Sequence, residues 1–454
     1  MPTPHPFTPR PAVGTAATGP ATGPATGTAA TGPLPGSTRS LWAWAFYDWA
    51  NSGFAALVQT FVFAAFFARA VAENETVGTA LWGNMMGAAG LVIGLGGPLL
   101  GAVADRSGRR KPWLAAFSGL CIAATACLWF VRPDPSFVWL GLVLAGLGTI
   151  GSEYAMIFYN AMLPGLADER TLGRWSGWGW GLGYAGGVVL LVIALYGFVE
   201  PNAWFDLPRA ESEHVRAVMP LTALWYLVFC LPLFLLCPDA PSRGIALGRA
   251  VAEGAAQLRN SLRRVRDYRD IAVFLLARML YNDGMTTMFA FGGIYAAGTF
   301  GMGPSQIIVF GIGLNVTAGL GAAAFAWLDD RAGPRRTIIV SLIGLIVPGV
   351  LILLVESQTL FWIFGLSLGI FVGPVQASSR SYLARVAPEA VRGEMFGLFA
   401  LSGKLTSFLG PLLVGWLTLA SGSQRVGMAS VIVLFVLGLA GMMLVPPARA
   451  HKGE

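Results

Sequence analysis

From about residue 41 onward the sequence is a succession of uncharged stretches, each close to the roughly 20 mostly apolar residues that a helix needs to cross hydrocarbon. They read as 49–68, 76–104, 113–131, 135–152, 175–199 and 217–238, then 271–299, 304–328, 337–355, 357–379, 405–424 and 426–448. Where 284–328 runs on without a charge, Gly301-Met302-Gly303-Pro304 supplies the turn. Charged residues make up 12% of the chain, about half the roughly 25% of a soluble domain. A water-soluble globule is excluded. The expected fold is an all-α membrane protein, twelve transmembrane helices in two pseudo-symmetric six-helix bundles.

The charged residues divide the chain. Residues 1–40, rich in Thr, Ala, Gly and Pro, lack the apolar core and cleavage site of a signal peptide and read as a disordered cytoplasmic tail. Residues 41–238 form the first bundle and 271–448 the second, with 449–454 a short cytoplasmic tail. Between them, 239–270 carries Arg243, Arg249, Arg259, Arg263, Arg264, Arg266 and Arg269 and reads as an amphipathic cytoplasmic linker on the membrane surface. With both termini in the cytoplasm, only Arg69, Arg132, Arg209, Arg216 and Arg425 fall outside, and most of the 30 Lys and Arg fall inside, as the positive-inside rule requires. The expected location is a bacterial cytoplasmic (inner) membrane, in contact with the lipid bilayer. Basic residues scattered over short loops, with no aromatic platform, argue against nucleic acid as a partner.

Cys121, Cys127, Cys230 and Cys237 lie in apolar segments without ligand spacing and read as packing residues. His5, His214 and His451 all lie outside the apolar runs, so neither a metal nor a histidine relay is expected within the membrane. No cofactor is expected, and proton coupling would have to use carboxylates. No GxxxxGK[ST] loop appears, which argues against direct drive by ATP.

The strongest local signal is the loop after the second span, with Gly101, Asp105, Arg106, Gly108, Arg109, Arg110 and Lys111. It recurs after the eighth span as Ala326, Asp330, Arg331, Gly333, Arg335 and Arg336, about one six-helix half further on, which marks an internal repeat. A glycine that lets helices approach, an aspartate that caps or pairs, and basic residues at anionic headgroups suit a gate as well as a topology signal.

Gly101–Lys111 resembles, position for position, the signature loop of the major facilitator superfamily. That resemblance implies a two-bundle carrier working by alternating access, with this loop closing the cytoplasmic side. The second copy departs from the pattern, with Ala326 for the glycine and Pro334 for the first basic residue. Four further segments, Trp44-Ala-Phe-Tyr47-Asp48-Trp49-Ala-Asn51-Ser52, Tyr159-Asn160-Ala-Met-Leu163-Pro164, Arg278-Met-Leu-Tyr281-Asn282-Asp283-Gly284 and the run from Ser402 to Pro411, are similar to the autophagy-related vacuolar amino-acid effluxer branch, also called the unknown major facilitator group. That likeness spans about 41–446 and implies export of amino acids or related metabolites. The proline of drug–proton antiporters is missing from span five, where Gly179, Gly181, Gly183, Gly186 and Gly187 stand.

Ionisable groups at membrane depth are expensive and mark either a pathway or a structural pair. Six qualify: Asp48, Glu153 and Asp283 against Arg278, Arg380 and Lys404. Either they pair across helices and fix packing, or the carboxylates meet an amine or proton while the cations meet a carboxylate. At about 1.5 Å of rise per residue, Asp283 and Glu153 lie roughly 16–18 Å deep and Asp48 roughly 10 Å. Asn282-Asp283-Gly284 weakens a helix, which leaves two readings, a local unwinding that exposes carbonyls or an ordinary helix with a small packing residue. Asn51, Tyr159, Asn160, Tyr281 and Gln376, with Tyr47 and Tyr154, are nearby hydrogen-bonding candidates. The expected function is secondary active transport of a small polar metabolite, an amino acid first, with protons as the candidate coupling ion. The alternatives are a permease or exporter of amphiphiles, peptidoglycan fragments or drugs, and more remotely a membrane-embedded sensor or a magnesium-dependent transferase.

Overall fold

The computed structural model describes residues 37–107, 109–167, 171–239, 263–388 and 391–447, with isolated positions between 241 and 260. Nearly all of the expected N-terminal tail, most of the linker, Gly108 and the C-terminal tail lie outside the described residues. Among the described residues, eleven helices are long and apolar enough to cross a membrane. The twelfth of membrane length, Arg269–Phe300, is less apolar because it carries Arg278, Asn282 and Asp283, and it buries all three inside the protein. The protein is therefore a multi-pass membrane protein, with twelve helices of membrane length among the described residues.

In chain order these are α1 (Thr38–Val71), α2 (Glu75–Ser107), α3 (Lys111–Phe130), α4 (Val138–Met162), α5 (Leu172–Ala194) and α6 (Val218–Leu236). They continue as α7 (Arg269–Phe300), α8 (Pro304–Ala332), α9 (Pro334–Leu354), α10 (Gln358–Val386), α11 (Arg392–Leu405, resumed as Leu409–Ser421) and α12 (Gln424–Leu444). Several helices outrun the stretches read from sequence. α1 begins at Thr38 instead of 49, α4 runs to Met162 instead of 152, α10 to Val386 instead of 379, and α11 starts at Arg392 instead of 405. Each expected end was set at a charge, Asp48, Glu153, Arg380 or Lys404, but a charge turned toward partners inside the protein does not end a helix. Of the two readings at Asn282–Gly284 the unwinding does not occur, because α7 is continuous there. Gly284 instead receives Phe435 of α12, whose ring would stand 3.0 Å from an added Cβ. The break lies in α11, at Thr406–Phe408.

The helix contacts repeat. In the first half α1 packs on α5 and α6, α3 on α4 and α6, and α2 on α4. In the second, α7 packs on α11 and α12, α9 on α10 and α12, and α8 on α10. Across the halves α1 meets α7, α2 meets α11 and α5 meets α8, pairs that a pseudo-two-fold axis maps onto one another. The α2–α11 seam is built from glycines. An added Cβ on Gly83 would stand 2.5 Å from the Pro411 carbonyl, on Gly90 3.0 Å from the Phe408 nitrogen and on Gly94 3.1 Å from the Lys404 carbonyl. At the α8–α9 turn, Gly333 has φ +82°, a conformation that suits glycine.

Two π-helical turns, Ala55–Phe61 and Phe67–Val71, interrupt α1. The first brings the Thr60 carbonyl against Gly293 of α7, so close that no Cβ would fit between them, and the two backbones touch across the halves. Beyond it, Arg69 donates to the Met302 carbonyl at 3.2 Å.

A Gly83→Ala substitution is expected to destabilise the protein by about 1–3 kcal/mol, the usual range for overpacking against rigid backbone. Gly101, with nothing within 4 Å of an added Cβ, is the control: Gly101→Ala leaves the thermal midpoint in detergent unchanged or slightly raised.

Candidate functional site

On α1 the helical spacing of Trp44, Tyr47, Asp48 and Asn51 turns these side chains into the first half, toward α4 and α5 and, for the Tyr47 hydroxyl, toward Ser118 of α3 and Tyr226 of α6. Buried Asp48 accepts from the Tyr159 hydroxyl at 3.0 Å. The Tyr159 ring stacks on Trp44 and Tyr47, at centroid distances of 4.5 and 4.8 Å, and the Trp44 indole N–H donates to the Tyr159 carbonyl. One turn on, the Asn51 amide oxygen accepts from Ser152 at 2.7 Å. Gly179 lets α5 approach, since a Cβ there would come within 3.0 Å of the Asp48 carboxylate. Asn160, next to Tyr159, is exposed.

The second half repeats this scheme on α7, α10 and α11. Buried Arg278 donates to the Phe399 carbonyl at 2.7 Å and to Ser402 at 2.8 Å, with its guanidinium over the Phe399 ring. The Tyr281 hydroxyl is 2.7 Å from that of Ser379. Asn282 donates to the Gly403 carbonyl at 2.9 Å and accepts from Gln376 at 3.2 Å. Asp283 accepts from the Gly410 N–H at 3.0 Å, just past the α11 break. Arg278, Asn282 and Asp283 thus serve α7–α11 packing, and hydrogen bonds of this kind contribute about 0.6 kcal/mol on average in membranes.

Two remaining contacts join the halves. The Lys404 ammonium of α11 donates to Glu153 of α4 at 2.5 Å, both side chains partly exposed. Arg380 of α10, half-buried, lies 5.0 Å over the ring of Trp180 on α5. Glu153 and Arg380, and likewise Trp180 and Lys404, occupy matching places in the two halves, separated by nearly the interval between the two Asp-Arg-x-Gly motifs. The α4–α11 ion pair therefore has the α10–α5 cation and ring as its pseudo-symmetric counterpart. Among the described residues Arg380 makes no hydrogen bond or ion pair; it faces an aromatic ring where its counterpart faces an opposite charge. Trp180, 44% exposed, stacks obliquely with Tyr184 at 5.9 Å. Sequence reading passed over both because they sit in a glycine-rich stretch that reads as packing; the equivalence of Trp180 to Lys404 was the available signal.

In the loop motif, Arg109 and Arg331 are exposed, while Gly108 and the side chains of Asp105, Arg106 and Asp330 lie outside the description. Gly101 faces open space, and the close approaches of α2 come at Gly83–Gly94 instead. Both motif copies are followed by a similar anchor. Lys111, entering α3, donates to the Phe234 carbonyl at the end of α6, and Arg335, entering α9, donates to the Met443 and Val445 carbonyls at the end of α12. Asp239 caps α3 by accepting from the Arg110 N–H at 2.9 Å. Beside Asp330, Asp329 accepts from Ser381 at 2.8 Å and meets Arg385 at 3.6 Å.

Residues 89–453 match the family described as vacuole effluxer Atg22 like. An uncharacterized MFS-type transporter of Bacillus subtilis, YxiO, is 29% identical over 410 residues, covering 89% of this chain and 94% of that one. Autophagy-related protein 22-1 of Aspergillus niger is 25% identical over 296 residues, 60% of this chain; the match spans 47% of that longer relative's length. Among solved structures, a D-xylose-proton symporter aligns with a TM-score of 0.66 at 14% identity over 92% of this chain and 99% of its own, and the nucleoside transporter NupG, as a D323A mutant, with 0.64 at 12% over 89% and 98%. At these identities the structural matches establish the fold.

Lys404→Met is expected to cost about 1 kcal/mol, since the pair is partly exposed and screened. Adding Glu153→Gln recovers most of that loss, and a double-mutant cycle of thermal midpoints reads a coupling of about 0.5–1 kcal/mol.

Proposed function

Since this chain belongs to the Atg22-like vacuole effluxer family, a branch of the major facilitator superfamily, we propose that it is a secondary carrier exporting a small zwitterionic metabolite, an amino acid or close relative, by alternating access. Arg380 is the observation that carries this reading. An intramembrane cation is disfavoured by about 2.5–3.5 kcal/mol even on insertion scales, so it is kept where a ligand or partner offsets the loss. Packing does not call for Arg380. Arg278 braces its neighbours through carbonyl and hydroxyl partners, whereas Arg380 has only the Trp180 ring among the described residues. A carboxylate from the cargo supplies the missing charge, held bidentately by the planar guanidinium.

The cargo's ammonium goes to Glu153. In doing so it competes with Lys404 and loosens the bridge between α4 and α11. Binding energy specific to the cargo-bound arrangement can thus shift the balance between the two access states, as a ligand must do to drive a conformational change. The halves move about the α1–α7 backbone contact at Thr60 and Gly293. Trp180 and Tyr184 wall the carboxylate side. The protein acts as a carrier, not an enzyme, in a bacterial cytoplasmic membrane with both termini in the cytoplasm, where its basic loops meet anionic lipid. Protons are the proposed coupling ion. A second reading, export of an amphiphile, is favoured by an apolar pocket where Phe61 of α1 meets the second half, lined there by Phe310, Leu345, Phe361 and Phe435.

The experiment is counterflow in proteoliposomes over a panel of labelled amino acids, the same compounds without their amine or carboxylate, and amphiphiles. The intact zwitterions are expected to be carried. Arg380→Gln is expected to lose roughly ten- to a hundredfold in apparent affinity, the equivalent of one charge-assisted contact, with the thermal midpoint retained. Equal transport of the decarboxylated analogues, or unchanged affinity in Arg380→Gln, refutes the carboxylate subsite; flux of amphiphiles alone selects the second reading.

A further inference from the structure

Asp283 and Thr287 lie one turn apart on α7 and are 1% and 0% exposed. One Asp283 oxygen, Oδ2, accepts from the Gly410 N–H at 3.0 Å. The other, Oδ1, is buried without a hydrogen-bond partner among the described residues, and so is the Thr287 hydroxyl. Both atoms face Gly410, where an added Cβ would stand 3.2 Å from Oδ1 and closer still to the Thr287 oxygen, but they are not hydrogen-bonded to each other. Gly410 lies in the first turn of the Leu409–Ser421 segment of α11, where backbone N–H groups lack helical partners and the helix dipole is positive.

An ionised carboxylate here would sit away from water with a single donor, an arrangement that is strongly disfavoured. The charged groups on the helices packed against α7 are directed elsewhere, Arg380 of α10 lying over the Trp180 ring of α5 without a hydrogen bond or ion pair among the described residues. Arg278 of α7 is bound to Phe399 and Ser402, and Lys404 of α11 to Glu153. At Gly284, α12 presents Leu434 and Phe435. Two side-chain oxygens fall short of the six or so that a hard cation seeks, but one acceptor beside one carboxyl oxygen suits a proton.

We infer that Asp283 is a proton-binding site, with the proton on Oδ1, the unpartnered Thr287 hydroxyl turning to accept it when it binds, and Oδ2 held by the N-terminus of the second α11 segment. When the Oδ1–H bond breaks, the proton leaves for water and the electron pair stays on the carboxylate. The new negative charge is then attracted to the Leu409–Ser421 terminus, which draws that segment toward α7. Because the first segment of α11 carries Lys404, the proton and the bridge between the halves act on one broken helix. The coupling role rests on the transport reading, but occupancy of the site does not.

The test is infrared difference spectroscopy of the purified full-length protein in detergent, titrated with pH in water and in deuterium oxide, without cargo. A carbonyl stretch of a protonated carboxylic acid, downshifted by deuteration and lost at high pH, is expected in the wild type. It disappears in Asp283→Asn. In Thr287→Val, which removes the acceptor, it moves to higher frequency, so the site is still read if the first variant misfolds. An acid band identical in wild type and Asp283→Asn overturns the proposal, and so does a band that Thr287→Val leaves in place. Since no cargo is present, failure here is distinct from failure of the flux assay.

Discussion

Hydrocarbon offers no water, and nearly everything in this protein follows from that. Backbone polar groups are satisfied within helices, and each intramembrane charge must find a partner inside the protein. The charges solve this in different ways. Arg278 takes a carbonyl and a hydroxyl, Asp48 a tyrosine, Asp283 a backbone N–H at a helix start, and Glu153 and Lys404 take each other. Arg380, alone of these six and among the described residues, is left with a ring. A composition that looks like equal numbers of acids and bases resolves into five groups with hydrogen-bond or ion-pair partners and one cation over a ring.

The same constraint explains what could be read beforehand. The count of spans and the repeated half were legible because apolar length and an Asp-Arg-x-Gly motif are local properties of the chain. Helix ends were not, since cutting a span at a charge assumes that the charge faces lipid. Glu153 and Lys404 show why: each lies within a helix that continues past it, because each reaches a partner on another helix. The weak point of the second half was legible as a composition, Asn282-Asp283-Gly284, but its location was not. Those side chains brace α7 against α11, and the interruption falls on the partner helix. Trp180 and Tyr184 were hidden for a similar reason, because an aromatic residue in a span reads as packing until its cross-half neighbour is known.

The pseudo-two-fold arrangement sets the terms for function. Scaffold contacts obey it closely, with α1–α5 and α1–α6 mirrored by α7–α11 and α7–α12, and with Lys111 and Arg335 anchoring equivalent helix ends. The departure falls at the centre, where the ion pair on one side corresponds to a cation and a ring on the other. An asymmetric cargo cannot be bound alike by two identical halves. On the proposed reading, the place where the halves differ in charge is where the carboxylate and the amine of a zwitterion are told apart.

The wide turns of α1 have a consequence for how that helix can be altered. Each π-turn accommodates about one extra residue, and one residue corresponds to about 100° of rotation about a helix axis. Side chains beyond Val62 are therefore clocked to a different azimuth from those before Ala55, and no single 3.6-residue period describes the whole helix. Asp48, before the first wide turn, addresses α4 and α5, the Thr60 carbonyl within that turn meets α7, and Arg69 beyond it reaches Met302. A deletion of one residue between Ala55 and Phe61 would conserve hydrophobicity and length almost unchanged, yet it would turn the whole far end of α1 out of phase with the second half.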